Sequence, residues 1–155
     1  MAGTIDARLQ ELGIALPEPP AAAGAYTQVV RVGDLLHISG QVPFWNGELK
    51  FVGKVGVEFS LEEGQEAART CALNIIAQAK RALDGDLDRV RRIVKLGGFV
   101  NCPSDYLDHP KVINGASNLM GEVFGDKGQH SRFAVGAGSL PLGVAVEVEA
   151  LVLAE

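Results

Sequence analysis

The chain has 155 residues and a mass of 16.3 kDa, a length that suggests one domain and lets folding hide about 68% of the unfolded surface without disulfides or metals. Apolar residues make up 47% and charged residues 21%, which excludes long disordered tracts. With 14 Lys and Arg against 19 acids, the net charge is −5, so no global field draws the chain to nucleic acid or to an anionic membrane.

Two cysteines, Cys71 and Cys102, cannot form a disulfide framework and suit a reducing compartment. The opening MAGTIDARLQEL carries acids and has no continuous apolar run, so it does not read as a secretory signal. No stretch approaches the roughly 18 apolar residues needed to span a bilayer. The expectation is a cytoplasmic protein with no membrane partner.

Thr4 is placed to cap a short helix with Ile5, Leu9 and Leu12 on one face and Gly13 at its end. Pro17-Glu18-Pro19-Pro20 can enter neither a central strand nor a helix interior. Residues 1–25 therefore read as an N-terminal extension, and 26–155 as a single domain.

From Tyr26 the apolar period becomes two. Tyr26–Val32 and Leu35–Val42 flank Gly33-Asp34, the pattern of a β-hairpin. Leu36 and Ile38 share one side of the second run; His37, Ser39 and Gln41 take the other. Asn46-Gly47 marks another turn, and Phe51–Phe59 is expected to be a short third strand. Ser60 and Glu63 fit a capping box. Behind them Ala67, Ala68, Cys71, Ala72, Ile75, Ile76, Ala79 and Leu83 recur at helical spacing, with Gly85 as the stop. Ile93–Asn101 reads as a strand in which Gly97-Gly98 implies a bulge or a close backbone approach. Asp108-His109-Pro110 opens a second long helix that Gly125 closes, Ser131–Ala137 is a strand, and Val144–Leu153 is the last strand. Strands, helix, strand, helix, strands imply an α+β fold with helices on one face of a mixed sheet.

The last strand holds the most chemistry. Val144, Val146, Val148, Ala150 and Val152 form an apolar face suited to the helices, which leaves Glu147 and Glu149 on the other with Leu151 and Leu153. Covered carboxylates need a partner, and Arg132, on the preceding strand among small and apolar residues, is the candidate through a bidentate fork. On spacing alone a structural ion pair or plain solvated charges explains these residues as well. His37, His109 and His130 share no metal-ligand spacing with either cysteine, so no metal site is expected. Cys71 lies on an apolar helical stripe as a buried hydrophobe, whereas Cys102 before Pro103 is expected in an exposed loop. Gly47–Lys54 lacks the spacing and hydroxyl of a phosphate loop, and Gly136-Ala137-Gly138 lacks the third glycine of a dinucleotide fingerprint. Arg89, Arg91, Arg92 and Lys95 form the one basic cluster, read as a solvated strand edge rather than an RNA platform.

Gly24-Ala25-Tyr26-Thr27-Gln28, Ile38-Ser39-Gly40-Gln41-Val42-Pro43, Ser131-Arg132, and Leu140-Pro141 leading into Val146-Glu147-Val148-Glu149-Ala150 together resemble the Rid/YjgF family. These are reactive-intermediate imine/enamine deaminases, also known as endoribonuclease L-PSP or translation inhibitors. The resemblance implies a chorismate-mutase-like fold of six strands in a mixed sheet with two helices packed on one face. It also implies a homotrimer with clefts between subunits and no cofactor. Matched residue by residue, Arg132 grips a substrate carboxylate and Glu147 positions or activates water. Tyr26, Ser39 and Gly40 form the cleft wall. Ala134 stands where the family often has cysteine and Phe133 where it often has serine. The polar residue on the second long helix is Asn114 or, alternatively, Ser117. Trp45 is a cleft-rim residue or a partly buried loop anchor. The implied activity is hydrolytic deamination of 2-imino or 2-enamine acids to 2-keto acids and ammonia. Two competing readings are a non-catalytic trimer that binds small carboxylates, and an endoribonuclease or translation inhibitor, which the acidic balance disfavours.

Overall fold

A computed structural model describes residues 3–155. The first helix is α1 (Thr4–Glu11). Thr4 lies inside this helix; the N-cap is Gly3, where any Cβ would run into the Asp88 carboxylate. Asp88 supplies the cap from outside, because its two oxygens accept from the Thr4 and Ile5 backbone N–H groups at 2.8 Å each. Lys80 pairs with Asp6 at 3.0 Å and Leu9 is buried. Further along, the Pro20 carbonyl accepts from Gln78 at 2.9 Å, so the segment after α1 is also tied to α2.

Strands β1 (Val29–Val32) and β2 (Leu35–Gln41) form the expected hairpin around Gly33-Asp34. Strands β3 (Phe44–Trp45) and β4 (Glu48–Leu49) form a separate two-stranded ribbon across Asn46-Gly47, both turn residues having positive φ. Trp45 is half-buried there, against the core. Phe51–Phe59 is not a strand. Positive φ at Phe51, Gly53 and Gly56 is incompatible with an extended run, and only the isolated bridges Val52↔Val144 and Val55↔Phe59 remain.

The capping box opens α2 (Leu61–Ala82) as expected, with the Ser60 hydroxyl accepting from Glu63 N–H and the Glu63 carboxylate accepting from Ser60 N–H, each at 3.1 Å. Its alanine and isoleucine stripe is buried. Strand β5 (Val90–Asn101) carries the two adjacent glycines without a bulge; its register shifts lie earlier, between Val90 and Lys95. The glycines serve close approach instead. A Cβ on Gly97 would stand 2.6 Å from the Phe133 ring, and one on Gly98 would stand 2.7 Å from the Ile113 side chain. Helix α3 (His109–Phe124) crosses α2 where Gly115 meets the Gln65 backbone. Strands β6 (Ser131–Ala137) and β7 (Val146–Ala154) complete the chain.

The main sheet has five strands in the order β1-β2-β7-β5-β6, not six, because the segment expected as a further strand is turned and β3-β4 stands apart. It is mixed, as expected: β5 and β6 run parallel and the other pairs antiparallel. Helices α2 and α3 cover one face, and α1 is a third helix outside the expected pair. Val146, Val148, Ala150 and Val152 are buried beneath the helices, while the Glu147 side of β7 faces away. The core is the layer between that sheet face and α2–α3.

Candidate functional site

Strand alternation decides where each candidate side chain goes. Arg132 is the register partner of Leu96, itself the partner of Ala150, and both of these are buried under the helices. Arg132 therefore turns toward α3, at the free edge of β6. It is no partner of Glu147 or Glu149: β5 lies between β6 and β7, and Glu147, paired with Phe99, belongs to the opposite face. The expected fork between Arg132 and an acid on the last strand is absent.

Neutral oxygens hold Arg132 instead. Its Nη1 donates to Asn114 Oδ1 at 2.8 Å and to Ser117 Oγ at 3.1 Å, and its Nη2 donates to the Pro110 carbonyl at 3.1 Å. Asn114 and Ser117, one helical turn apart on α3, thus both touch the arginine. Among the described residues Arg132 is in no salt bridge within 4.0 Å. Partial burial lowers its pKa from the ordinary value, but a guanidinium remains a cation. Three of its five N–H bonds are used, which leaves Nε–H and one Nη2 hydrogen for an incoming acceptor. An open cavity of about 530 Å³ adjoins it, lined by Ser117, Gly121, Gly128, Gln129, His130 and Arg132.

His130 is a residue the sequence reading left out of the site. Its Nε2 lies 2.9 Å from Ser117 Oγ and its Nδ1 lies 2.6 Å from the Gly128 carbonyl. The available signal was alternation: positions 130, 132 and 134 point the same way on an extended chain, so a histidine two residues before the arginine shares its side.

Ala134 is on the arginine's side, opposite Gly98. Phe133 points away from Arg132, stacks edge-on against Phe99 with ring centroids 5.3 Å apart, and receives Lys95 Nζ at 5.3 Å from its ring.

Glu147, Gly40 and Ser39 form a second group, built on β7 and β2, and Tyr26 lies on the segment before β1. Glu147 is half-buried, and burial, with Glu149 adding repulsion, raises its carboxyl pKa above the ordinary carboxylate range. Its carboxylate lies so close to Gly40 that a Cβ there would collide with it. Ser39 Oγ donates to the Thr27 carbonyl at 2.9 Å, and Tyr26 is 48% exposed. A neighbouring cavity of about 370 Å³ is lined by His37, Ser39, Lys95 and Glu149 among others. The chain by itself therefore does not join the two groups: Arg132, Asn114 and Ala134 stand on the helix side of one sheet edge, and the Glu147 group stands on the other face.

Cys102 proves buried rather than exposed, and burial raises its thiol pKa as it does that of Cys71; neither is set up as a thiolate. Among the described residues no group of three or more His, Cys, Asp or Glu could hold a metal ion, and no helix is long and apolar enough to cross a membrane. The basic cluster is tied up locally: Arg89 donates to the Glu155 carbonyl, Arg91 pairs with the Glu155 carboxylate, and Arg92 donates to the carbonyls of Asp126 and Gln129.

Comparison with known proteins adds a lineage to this geometry. Residues 6–153 match the family described as "YjgF/chorismate_mutase-like, putative endoribonuclease". Protein TCP17 of Trypanosoma cruzi is 48% identical over 151 residues, covering 97% of this chain and 94% of that protein. The RutC family protein y4sK of Sinorhizobium fredii is 30% identical over 139 residues, covering 90% and 94%. The crystal structure of protein Atu1372 from Agrobacterium tumefaciens, whose function is unknown, superposes with a TM-score of 0.90 at 44% identity, covering 97% of this chain and 92% of that one.

Proposed function

The chain belongs to the YjgF/chorismate-mutase-like family, and from that premise we propose that it hydrolyses reactive 2-imino and 2-enamine acids to 2-keto acids and ammonia. The observation that carries the reading is Arg132: a cation held by three neutral oxygens, with no carboxylate beside it and two N–H bonds unused. Such a guanidinium receives a small carboxylate bidentately.

The second group supplies the proton chemistry. A 2-imino acid is already an electrophile at C2, so its hydrolysis requires an anchored carboxylate, an oriented water and proton transfer, with no covalent nucleophile. An enamine first gains a proton at carbon and becomes the imine. Glu147 takes a proton from water as the oxygen bonds to C2 and returns it to nitrogen. The hydroxyl proton of the tetrahedral adduct then passes through Glu147 to the amine nitrogen, the C2–N bond breaks to release ammonia, and C2 becomes the keto carbon. A carboxyl group whose pKa burial has raised is suited to both halves of that exchange.

Because the two groups occupy opposite faces of one sheet, the reading places the site at a seam. Arg132 of one protomer acts with Glu147 of the next in a homotrimer, where a head-to-tail interface repeats around a closed ring. The test is ammonia release from freshly generated 2-iminopropionate. The wild-type chain is expected to turn over. Arg132→Ala is expected to lose activity at least a hundredfold while the oligomer stays folded, since positioning contributes much of such a barrier. Full activity in that variant overturns the assignment, and tight pyruvate binding without turnover in the wild type replaces the enzyme with a carboxylate-binding trimer. Ribonuclease activity, which the family's description suggests, has little support in a chain of net charge −5 whose clustered arginines are already engaged.

A further inference from the structure

We propose that His130 is a positioning residue for the carboxylate grip, acting on Arg132 through the Ser117 hydroxyl. The proposal rests on the reading of Arg132 as the anchor.

With a neutral imidazole the direction of each hydrogen bond in the chain follows from its ends. A guanidinium can only donate, so Ser117 Oγ accepts from Arg132 Nη1 at 3.1 Å. A carbonyl can only accept, so His130 Nδ1 carries a hydrogen and donates to Gly128 at 2.6 Å. The remaining bond, 2.9 Å between Ser117 Oγ and His130 Nε2, then runs from hydroxyl to ring. The imidazole is thereby set as the Nδ1–H tautomer, and it presents a lone pair to the one proton that Ser117 has to place.

The far end of the chain is rigid. Gly128 packs so tightly on the Met120 carbonyl that no side chain fits at that position. Arg92 Nη1 bridges the carbonyls of Asp126 and Gln129 at 3.0 and 3.1 Å, which pins the turn from which His130 emerges. A fixed carbonyl orients the ring, the ring orients the hydroxyl, and the hydroxyl fixes one arm of the guanidinium. Asn114 Oδ1 holds the same nitrogen at 2.8 Å, so both hydrogens of Nη1 are engaged, and Nε–H with one Nη2 hydrogen remains for a ligand.

Without His130 the Ser117 hydroxyl has a ready alternative. A serine within a helix donates to the carbonyl four residues back, here Ile113. Rotating to it turns the oxygen lone pairs away from Arg132. The guanidinium then keeps its charge but loses a constraint, so the loss falls on ligand affinity rather than on charge.

The reading of Ser117 and His130 as a nucleophile with its base fits less well, because Oγ already accepts from a cation, which draws electron density from the oxygen.

The experiment uses nitrogen-15 NMR of the assembled protein beside pyruvate titration, for wild type, His130→Ala, His130→Gln and Ser117→Ala. Wild type is expected to show the Nδ1–H tautomer at His130 and separate Nη resonances for a rotationally restrained Arg132. Those resonances are expected to merge in His130→Ala and in Ser117→Ala, and to stay separate in His130→Gln, whose amide oxygen restores an acceptor. Pyruvate affinity is expected to fall about five- to tenfold in each alanine variant, the loss of one charge-assisted hydrogen bond, with no further loss when His130→Ala and Ser117→Ala are combined. An Nε2–H tautomer or a doubly protonated ring in wild type, or a restrained Arg132 in Ser117→Ala, overturns the proposal. If His130→Ala does not fold, Ser117→Ala and His130→Gln decide it alone. If wild type neither binds pyruvate nor releases ammonia, the functional reading falls, while the NMR signals still judge His130.

Discussion

Arg132 and Glu147 sit on strands separated by β5 and project from opposite faces of the same sheet. A catalytic pair built from them has to be assembled from two protomers, and this can be measured by complementation. Arg132→Ala and Glu147→Gln chains, each inactive alone, are co-expressed with different tags and purified as mixed oligomers. Where a Glu147→Gln protomer offers its intact arginine to the intact glutamate of an Arg132→Ala neighbour, a complete seam is restored. Every mixed trimer, whichever chain is in the majority, has one complete seam of three, so about a third of wild-type activity is expected in a closed head-to-tail ring. No recovery would show that the two side chains do not meet across an interface.

The same pair marks the boundary of what the sequence reveals. Period-two alternation in Val146–Ala154 identifies which side of β7 is buried, and the Ser60–Glu63 box with the alanine stripe behind it locates α2 to within a residue or two. Alternation assigns faces, however, and is silent on neighbours. The last two strands adjoin in sequence, but β6 runs parallel to β5 after the α3 crossover, so β7 enters between β2 and β5. That step separates Arg132 from the carboxylates expected to pair with it. The Ser117–His130 contact joins an α3 residue to the turn before β6, a tertiary relation that spacing does not encode. Phe51–Phe59 has strand-like composition, yet the left-handed backbone at Phe51, Gly53 and Gly56 overrides it.

Glu147 carries a stability cost with a definite sign. Burial and the neighbouring Glu149 raise its folded-state pKa above the unfolded value, so the folded chain holds this proton more tightly. Below the ordinary carboxylate range both states are protonated and the cost is zero. As pH rises past that range the unfolded chain ionises first and stability falls, until the pH exceeds the raised folded-state value, where the cost is complete. Glu147→Gln removes the charge and keeps the shape. Its melting temperature is expected to exceed that of wild type at neutral pH and to converge with it in acid, while deaminase activity is lost. Equal melting curves at neutral pH would contradict the burial argument.

Helix α1 depends on a carboxylate remote from it in sequence. Asp88 caps α1 through the backbone N–H groups of Ile5 and Thr4, and those two bonds hold its pKa below the ordinary aspartate value. A lowered folded-state value gives stabilisation that is complete above the ordinary aspartate range and is lost as pH falls through Asp88's own value. Asp88→Ala leaves both N–H groups without the partner, at a cost of about 1 kcal/mol, the usual worth of a helix cap. Because Leu9 and the Lys80–Asp6 pair still hold the helix, the loss is expected to be local. Amide exchange over Thr4–Glu11 should accelerate about fivefold at neutral pH while β5 and β7 keep their protection. Wild type should approach the variant's behaviour only in acid, as the carboxylate takes up its proton. Exchange in α1 that ignores both the substitution and the pH would mean that apolar docking alone secures the helix.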